Sequence, residues 1–234
     1  MPSSQLIRAS FLHCLDDPAS QGNSAVDYIA DGALRVEDGL IKDFGPADRI
    51  EVGADETVLD YRGKLILPGF VDTHIHYPQV DVIASYGAQL LDWLNIYTFP
   101  CEAQFFDPEV AAETASFFLT ELLKNGTTTA LVFGSSHTES VDAFFEAAKA
   151  RRLRMIAGKV MMDRNAPESV LDTAASSYED SKALIERWHG KDRLAYAVTP
   201  RFAPTSTQAQ LGSNGSKSSF QSTRITCRCM NTQD

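Results

Sequence analysis

No apolar run in this sequence approaches the ~18–20 residues a membrane-spanning helix needs, so none is expected. Positive charge is also scarce. Lys and Arg number 21 against 31 Asp and Glu, a net charge of −10, which argues against nucleic acid or an anionic membrane as a partner. The start, Met1-Pro2-Ser3-Ser4-Gln5, lacks the basic and apolar regions of a secretory leader. Only four cysteines are present, Cys14, Cys101, Cys227 and Cys229. Their spacing suits neither a disulfide framework nor a zinc knuckle, and Cys227-x-Cys229 is too close for a Cys-x-x-Cys pair. A reducing, cytoplasmic location is therefore expected. What the chain does have is apolar residues, 44% of the total, and 234 positions in which to bury them.

The texture changes once along the chain. Residues 1–68 read as short strands and turns. Leu6–Phe11 is a strand candidate, and Asp16–Ser24 is a polar loop. Ala33–Val36 and Leu40–Gly45 flank Glu37-Asp38-Gly39, a tight-turn signal between hairpin strands. Val58–Tyr61 and Lys64–Leu67 continue the β pattern, and Pro68-Gly69 marks the entry to a new element. This front piece is expected to be part of a small β-sheet domain.

From residue 69 strands alternate with helices. A strand runs from Gly69 to His76, followed by a connection from Tyr77 to Asp107 too long for a simple loop. Asp107-Pro108-Glu109 is a helix start: an N-cap acid, proline at the first helical position, and acid in the first turn. That helix reaches Lys124 and closes at Asn125-Gly126. Thr127–Phe133, Arg154–Met161 and Leu194–Thr199 read as buried strands. Helices from Thr138 or Ser140 to about Arg152, and over about Asp172–Trp188, separate them. Alternation of this kind implies an α/β fold with a parallel sheet and helical crossovers, doubly wound or a (β/α)8 barrel.

The stretch Gly69-Phe70-Val71-Asp72-Thr73-His74-Ile75-His76 carries chemistry. Side chains alternate along a strand, so His74 and His76 share a face with Phe70 and Asp72. Two imidazoles at the C-terminal end of a strand form half of a zinc site, since zinc commonly takes three or four protein ligands at ~2.0–2.1 Å for nitrogen. Placement at that strand end favours the barrel, whose reactive groups lie on that face.

Preceded by Lys64-Leu65-Ile66-Leu67-Pro68, this stretch resembles the metal-binding signature of the amidohydrolase superfamily. Further stretches look like the guanine deaminases within it. They are His76-Tyr77-Pro78-Gln79, Leu91-Asp92-Trp93-Leu94, Tyr97-Thr98-Phe99-Pro100, Asn125-Gly126-Thr127-Thr128-Thr129-Ala130, Gly158-Lys159-Val160-Met161-Met162-Asp163 and Thr199-Pro200-Arg201-Phe202-Ala203-Pro204-Thr205. The likeness covers about residues 1–211. It implies part of a β-sandwich over 1–68 and about four βα units of a metal-dependent barrel over 69–211. It also implies zinc on His74 and His76, and guanine held by Gln79, Arg201 and Phe202. Guanine presents O6 and N7 acceptors beside N1–H and N2–H₂ donors. An arginine fork suits the acceptor edge, and a glutamine amide both donates and accepts. Phe202 either stacks on the purine or fills core, and Trp93 and Phe99 either wall the pocket or are core. His137 and His189 read as surface or helix-end histidines. The implied reaction is hydrolytic deamination of guanine to xanthine and ammonia by zinc-activated water, not the cysteine-ligated deaminase type with its His-x-Glu signature. Homodimers are implied for full-length members.

The resemblance stops near Leu211. The family's later histidine and aspartate ligands, and its proton-shuttling glutamate, have no match here. No histidine follows His189, and the only acid in the tail is Asp234. Residues 212–234 are low in large apolar residues and read as a disordered, frame-shift-like tail. A truncated chain, inactive on its own, is the expectation. The alternatives are a non-catalytic fragment and another metal-dependent purine or triazine amidohydrolase.

Overall fold

The computed structural model describes residues 4–215 apart from Asp55 and Ala88. Cys227, Cys229 and the rest of the tail from 216 lie outside the described residues. The chain divides into two compact units between Pro68 and Gly69.

The first unit is one sheet of four strands: β1 (Ser4–Cys14), β2 (Val26–Glu37), β3 (Leu40–Pro46) and β4 (Thr57–Ile66), in the order β3-β2-β1-β4. The expected hairpin is β2–β3, antiparallel from Glu37 opposite Leu40 to Gly32 opposite Pro46. Its two turn residues, Asp38 and Gly39, both have positive φ (51° and 78°), the backbone that a twist-matched two-residue turn demands. β1 pairs antiparallel with β2 and parallel with β4. Leu6, Ala9, Phe11 and Ala33 are buried, and Phe11 meets Phe44 edge-on at 5.3 Å. Within the expected loop at 16–24, Pro18–Gln21 forms a turn of helix. Asp17 caps it by accepting from the Ala19 amide, and Pro18 presets the first helical φ.

The second unit contains β5 (Phe70–His76), β6 (Thr127–Phe133), β7 (Arg154–Gly158), β8 (Val160–Met161), β9 (Ala195–Tyr196) and β10 (Thr199–Pro200). β5, β6, β7 and β9 form a parallel sheet in that order, while β8 and β10 make a separate parallel pair. Helices Pro108–Lys124, Thr138–Ala150 and Ala174–Trp188 provide the crossovers. This is the parallel α/β pattern of a partial barrel. Asp107 caps the first helix through the Glu109 amide at 2.8 Å, and Gly126, at φ 82°, ends it. The third helix carries a reciprocal cap between Thr173 and Ser176. A further helix, Gln208–Gly215, crosses the point at Leu211 where the composition changes.

Two expected strands are each split. Arg154–Met161 breaks at Lys159, whose amide donates to the Tyr196 hydroxyl and whose carbonyl accepts from the Thr199 hydroxyl. Side chains satisfy that residue in place of a ladder. Leu194–Thr199 breaks between Tyr196 and Thr199, and Pro200 has no N–H for a strand to use.

Strand alternation distributes the core. In β6, Ala130 and Val132 enter a large cluster with Phe118, Leu119, Phe144, Phe145 and Met155 on the helix side. Leu131 and Phe133 face a second cluster with Leu94, Phe99, Val160, Met162 and Val170. No helix among the described residues is long and apolar enough to cross a membrane.

Gly158 sits where a neighbouring segment leaves no room for a side chain. A Cβ there would lie 2.0 Å from the Ala197 carbonyl oxygen and 2.7 Å from the Thr199 hydroxyl. Gly158→Ala should therefore cost about 2 kcal/mol by overpacking. Gly45→Ala, which meets nothing within 4 Å, should change stability by under about 0.5 kcal/mol. Urea-unfolding midpoints of the two variants measure the contrast.

Candidate functional site

β5 delivers the two histidines. Ile75 packs against the helix-side cluster, while His74 and His76 both lie against Phe133, with ring centroids 4.7 and 4.6 Å from it. The imidazoles are 5.3 Å apart. The alternation read from the sequence therefore brings both to one face. The Asp72 carboxylate accepts from the His74 amide at 2.9 Å and so braces the strand end locally. His76 is the more enclosed of the two, and its Nδ1 is buried without a hydrogen-bond partner. Burial, with the Arg201 and His74 charges adding, pushes its pKa down to about 3. The ring is thus neutral with a bare nitrogen, the form that ligates a metal.

After β5 the chain turns into a 3₁₀ segment, Tyr77–Val82, anchored by the buried Tyr77 hydroxyl donating to the Ser140 carbonyl at 2.6 Å. This segment carries Gln79. The expected long connection folds into short helical turns through Phe106, among them Phe99–Ala103. That helix holds Glu102, which has no exposed surface. Gln79 Nε2 donates to Glu102 Oε1 at 3.0 Å, and Arg201 Nη1 donates to Oε2 at 2.5 Å. The Arg201 side chain is only 5% exposed. Its amide donates to the Met161 carbonyl at 3.2 Å, and its guanidinium lies over the Phe99 ring, 5.4 Å from the centroid. Gln79 and Arg201, 122 positions apart in sequence (201 less 79), thus meet on one carboxylate.

Phe202 is partly buried against the second cluster, as is Trp93, and Phe99 belongs to that cluster outright. An open cleft of about 840 Å³ is lined by His74, His76, Gln79, Trp93, Phe117 and Asn125. Arg201 and Phe202 do not line it. His137 precedes the helix Thr138–Ala150, and His189 follows Trp188 and accepts from the Tyr196 amide at 3.2 Å. Glu102 escapes sequence reasoning, although one signal was available: no Lys or Arg occurs between Lys64 and Lys124, so a buried acid there must find a distant base.

The amidohydrolase family profile matches residues 65–226, well over half of the sequence. The chain belongs to the amidohydrolase family. It is 55% identical over 210 residues to guanine deaminase of Escherichia coli strain K12, covering 88% of this chain and 48% of that protein. A solved structure of E. coli guanine deaminase superposes with a TM-score of 0.84 at 53% identity, over 89% of this chain and 49% of that one. A guanine deaminase from C. acetobutylicum with guanine bound in its active site gives 0.77 at 26% identity, over 91% and 50%. The chain therefore spans about half the length of the relatives it matches.

Members of this family are metal-dependent, and the neutral, unpartnered His76 beside His74 fits part of a zinc ligand set. Among the described residues no group of three or more His, Cys, Asp or Glu converges to complete it. Two imidazoles leave half of a tetrahedral shell to water, so the chain should hold zinc weakly and below one ion per molecule. His74→Ala or His76→Ala should weaken retention by at least about tenfold, and Gln79→Ala should leave it unchanged. Equilibrium dialysis with metal analysis reads both.

Breaking the ion pair should be costly in a different way. Arg201→Ala leaves a carboxylate in the core without its cation and should destabilise the fold by about 3 kcal/mol, as measured by urea unfolding.

Proposed function

We propose that this chain is the metal-histidine and base-binding half of a guanine deaminase, which hydrolyses guanine to xanthine and ammonia. The observation that carries the reading is the clamp of Gln79 and Arg201 on Glu102, with Gln79 lining the same cleft as the histidine pair. Arg201 keeps N–H donors beyond the one given to Glu102, suited to O6 and N7 of guanine. Gln79 lines the cleft with the histidines and offers an amide to the N1–H and N2–H₂ edge. Phe202 is half-packed in the second cluster, and because neither it nor Arg201 lines the cleft, in this reading the base reaches both of them past Gln79. The identity to E. coli guanine deaminase and the guanine held by the C. acetobutylicum relative support the same assignment.

Zinc, held in part by His74 and His76, would supply Lewis-acid activation of water. The chain's own contribution is to bind and orient. The burial of His76 keeps its ring unprotonated near neutrality, and the clamp sets the base against the histidine face. A water-activating metal with only two protein ligands among the described residues leaves this chain without catalysis of its own in this reading. Full-length members of this kind would act as soluble cytoplasmic homodimers.

The test joins residues 1–211 to the portion of the E. coli relative that the chain does not cover. The chimera should release ammonia from guanine, while the 234-residue chain releases none. In the chimera, Arg201→Lys should raise KM about tenfold or more with zinc content unchanged, because a point charge replaces a fixed fork. His76→Ala should remove zinc and turnover together. Turnover of a triazine without turnover of guanine would replace this reading with the alternative one.

A further inference from the structure

We infer that Glu102 is a positioning residue that sets the polarity of the clamp, fixing the Gln79 amide in one orientation and offsetting the charge of Arg201, so that the site selects a neutral purine over an anionic one. The inference rests on the guanine reading above and extends it to discrimination between substrate and product.

A carboxylate bonded to a guanidinium has only acceptors to offer. Gln79 must therefore turn its NH₂ toward Glu102, as it does at 3.0 Å. A flipped amide would set a carbonyl oxygen against a carboxylate oxygen. With Nε2 engaged, Oε1 is left as the acceptor for a ligand in the cleft that Gln79 lines. The orientation that would otherwise be ambiguous is decided by the charge behind it.

The second consequence concerns charge. Arg201 is nearly enclosed, and its formal charge is matched at 2.5 Å by a carboxylate with no exposed surface. Phe99 covers one face of the guanidinium, and the Met161 carbonyl holds its backbone. Its remaining N–H groups can donate hydrogen bonds, but the pair presents no net positive charge. Guanine is neutral near pH 7 and carries both donor and acceptor edges. Xanthine bears a carbonyl where guanine bears its amine, and it loses a proton more readily to become an anion. A fixed acceptor at Gln79 faces the amine of guanine favourably and the carbonyl of xanthine unfavourably. The cancelled charge withholds from the xanthine anion the attraction that a lone arginine would give. Product would thereby leave more readily than substrate.

The experiment compares the full chain with Glu102→Gln. Nitrogen-15 NMR reports rotation of the Arg201 guanidinium and the environment of the Gln79 amide, and equilibrium dialysis measures retention of labelled guanine and xanthine at mildly alkaline pH. In the natural chain the guanidinium should rotate slowly and guanine should be preferred. In Glu102→Gln the rotation should become fast, and the guanine-to-xanthine preference should fall at least about tenfold, the scale of one hydrogen bond to a charged group. If that variant does not fold, Glu102→Asp serves. It keeps the charge, so xanthine stays excluded, but it withdraws from Gln79, so guanine binding weakens. Guanidinium rotation or base preference unchanged in the variant would overturn the role of Glu102. Loss of restraint in a protein whose natural form binds neither base would overturn the guanine reading while supporting Glu102 as the residue that positions the clamp.

Discussion

A carboxylate with no exposed surface cannot stand alone in a protein interior; desolvation makes an unpaired buried ion unfavourable by several kcal/mol. Glu102 satisfies that constraint with one donor from the turn after β5 and another from the residue after β10. An early and a late segment of the second unit are joined through it. Phe99, three residues before it, belongs to an apolar cluster with Leu94, Val160 and Met162. Lys159 repeats the arrangement with the opposite sign. Its side chain is 1% exposed and is paired with Asp172 and Asp180. The Asp172 carboxyl titrates above its ordinary range because burial outweighs the lysine beside it. Each buried ion has a complement from a distant segment, and together they hold the irregular backbone where β8 and β10 leave the main sheet.

Much of this fold is legible in short-range chemistry. Period-two alternation places His74 and His76 together and Ile75 opposite, because a pleat allows nothing else. The helix at Pro108 is announced by Asp107 and the proline, and the hairpin by Asp38-Gly39. The breaks in two strands are not legible. Met155, Ile156, Ala157 and Val160 read as one apolar run, yet the hydrogen bonds of Lys159 go to the hydroxyls of Tyr196 and Thr199, 37 and 40 residues on. The turn of helix at Pro18–Gln21 is similarly hidden in a polar stretch, because a single cap decides it.

The candidate site divides along the same line. The histidines come from one strand and can be read from it. Gln79, Arg201 and Phe202 are reached through the likeness to guanine deaminases, since neither a lone glutamine nor an arginine past a strand end announces a ligand. Glu102 belongs to neither group. Its role depends on a partner that no local pattern names, and only the folded chain brings that partner to it. Phe202, left open between stacking and core by its sequence, packs partly into the second cluster.

The separation between Glu102 and Arg201, 99 residues, also sets an order of events. Closing so long a loop is entropically slow, and contacts of this range form late in folding. During synthesis the segment bearing Glu102 leaves the ribosome well before Arg201 exists, at roughly 5–20 residues per second. Until the last strand docks, the carboxylate has no cation to pair with and stays in water. The packing of Glu102 in the turns from Tyr77 to Phe106 therefore depends on the segment that carries Arg201. The clamp is a latch on folding as well as a candidate site: the acid commits to the interior only when its base arrives.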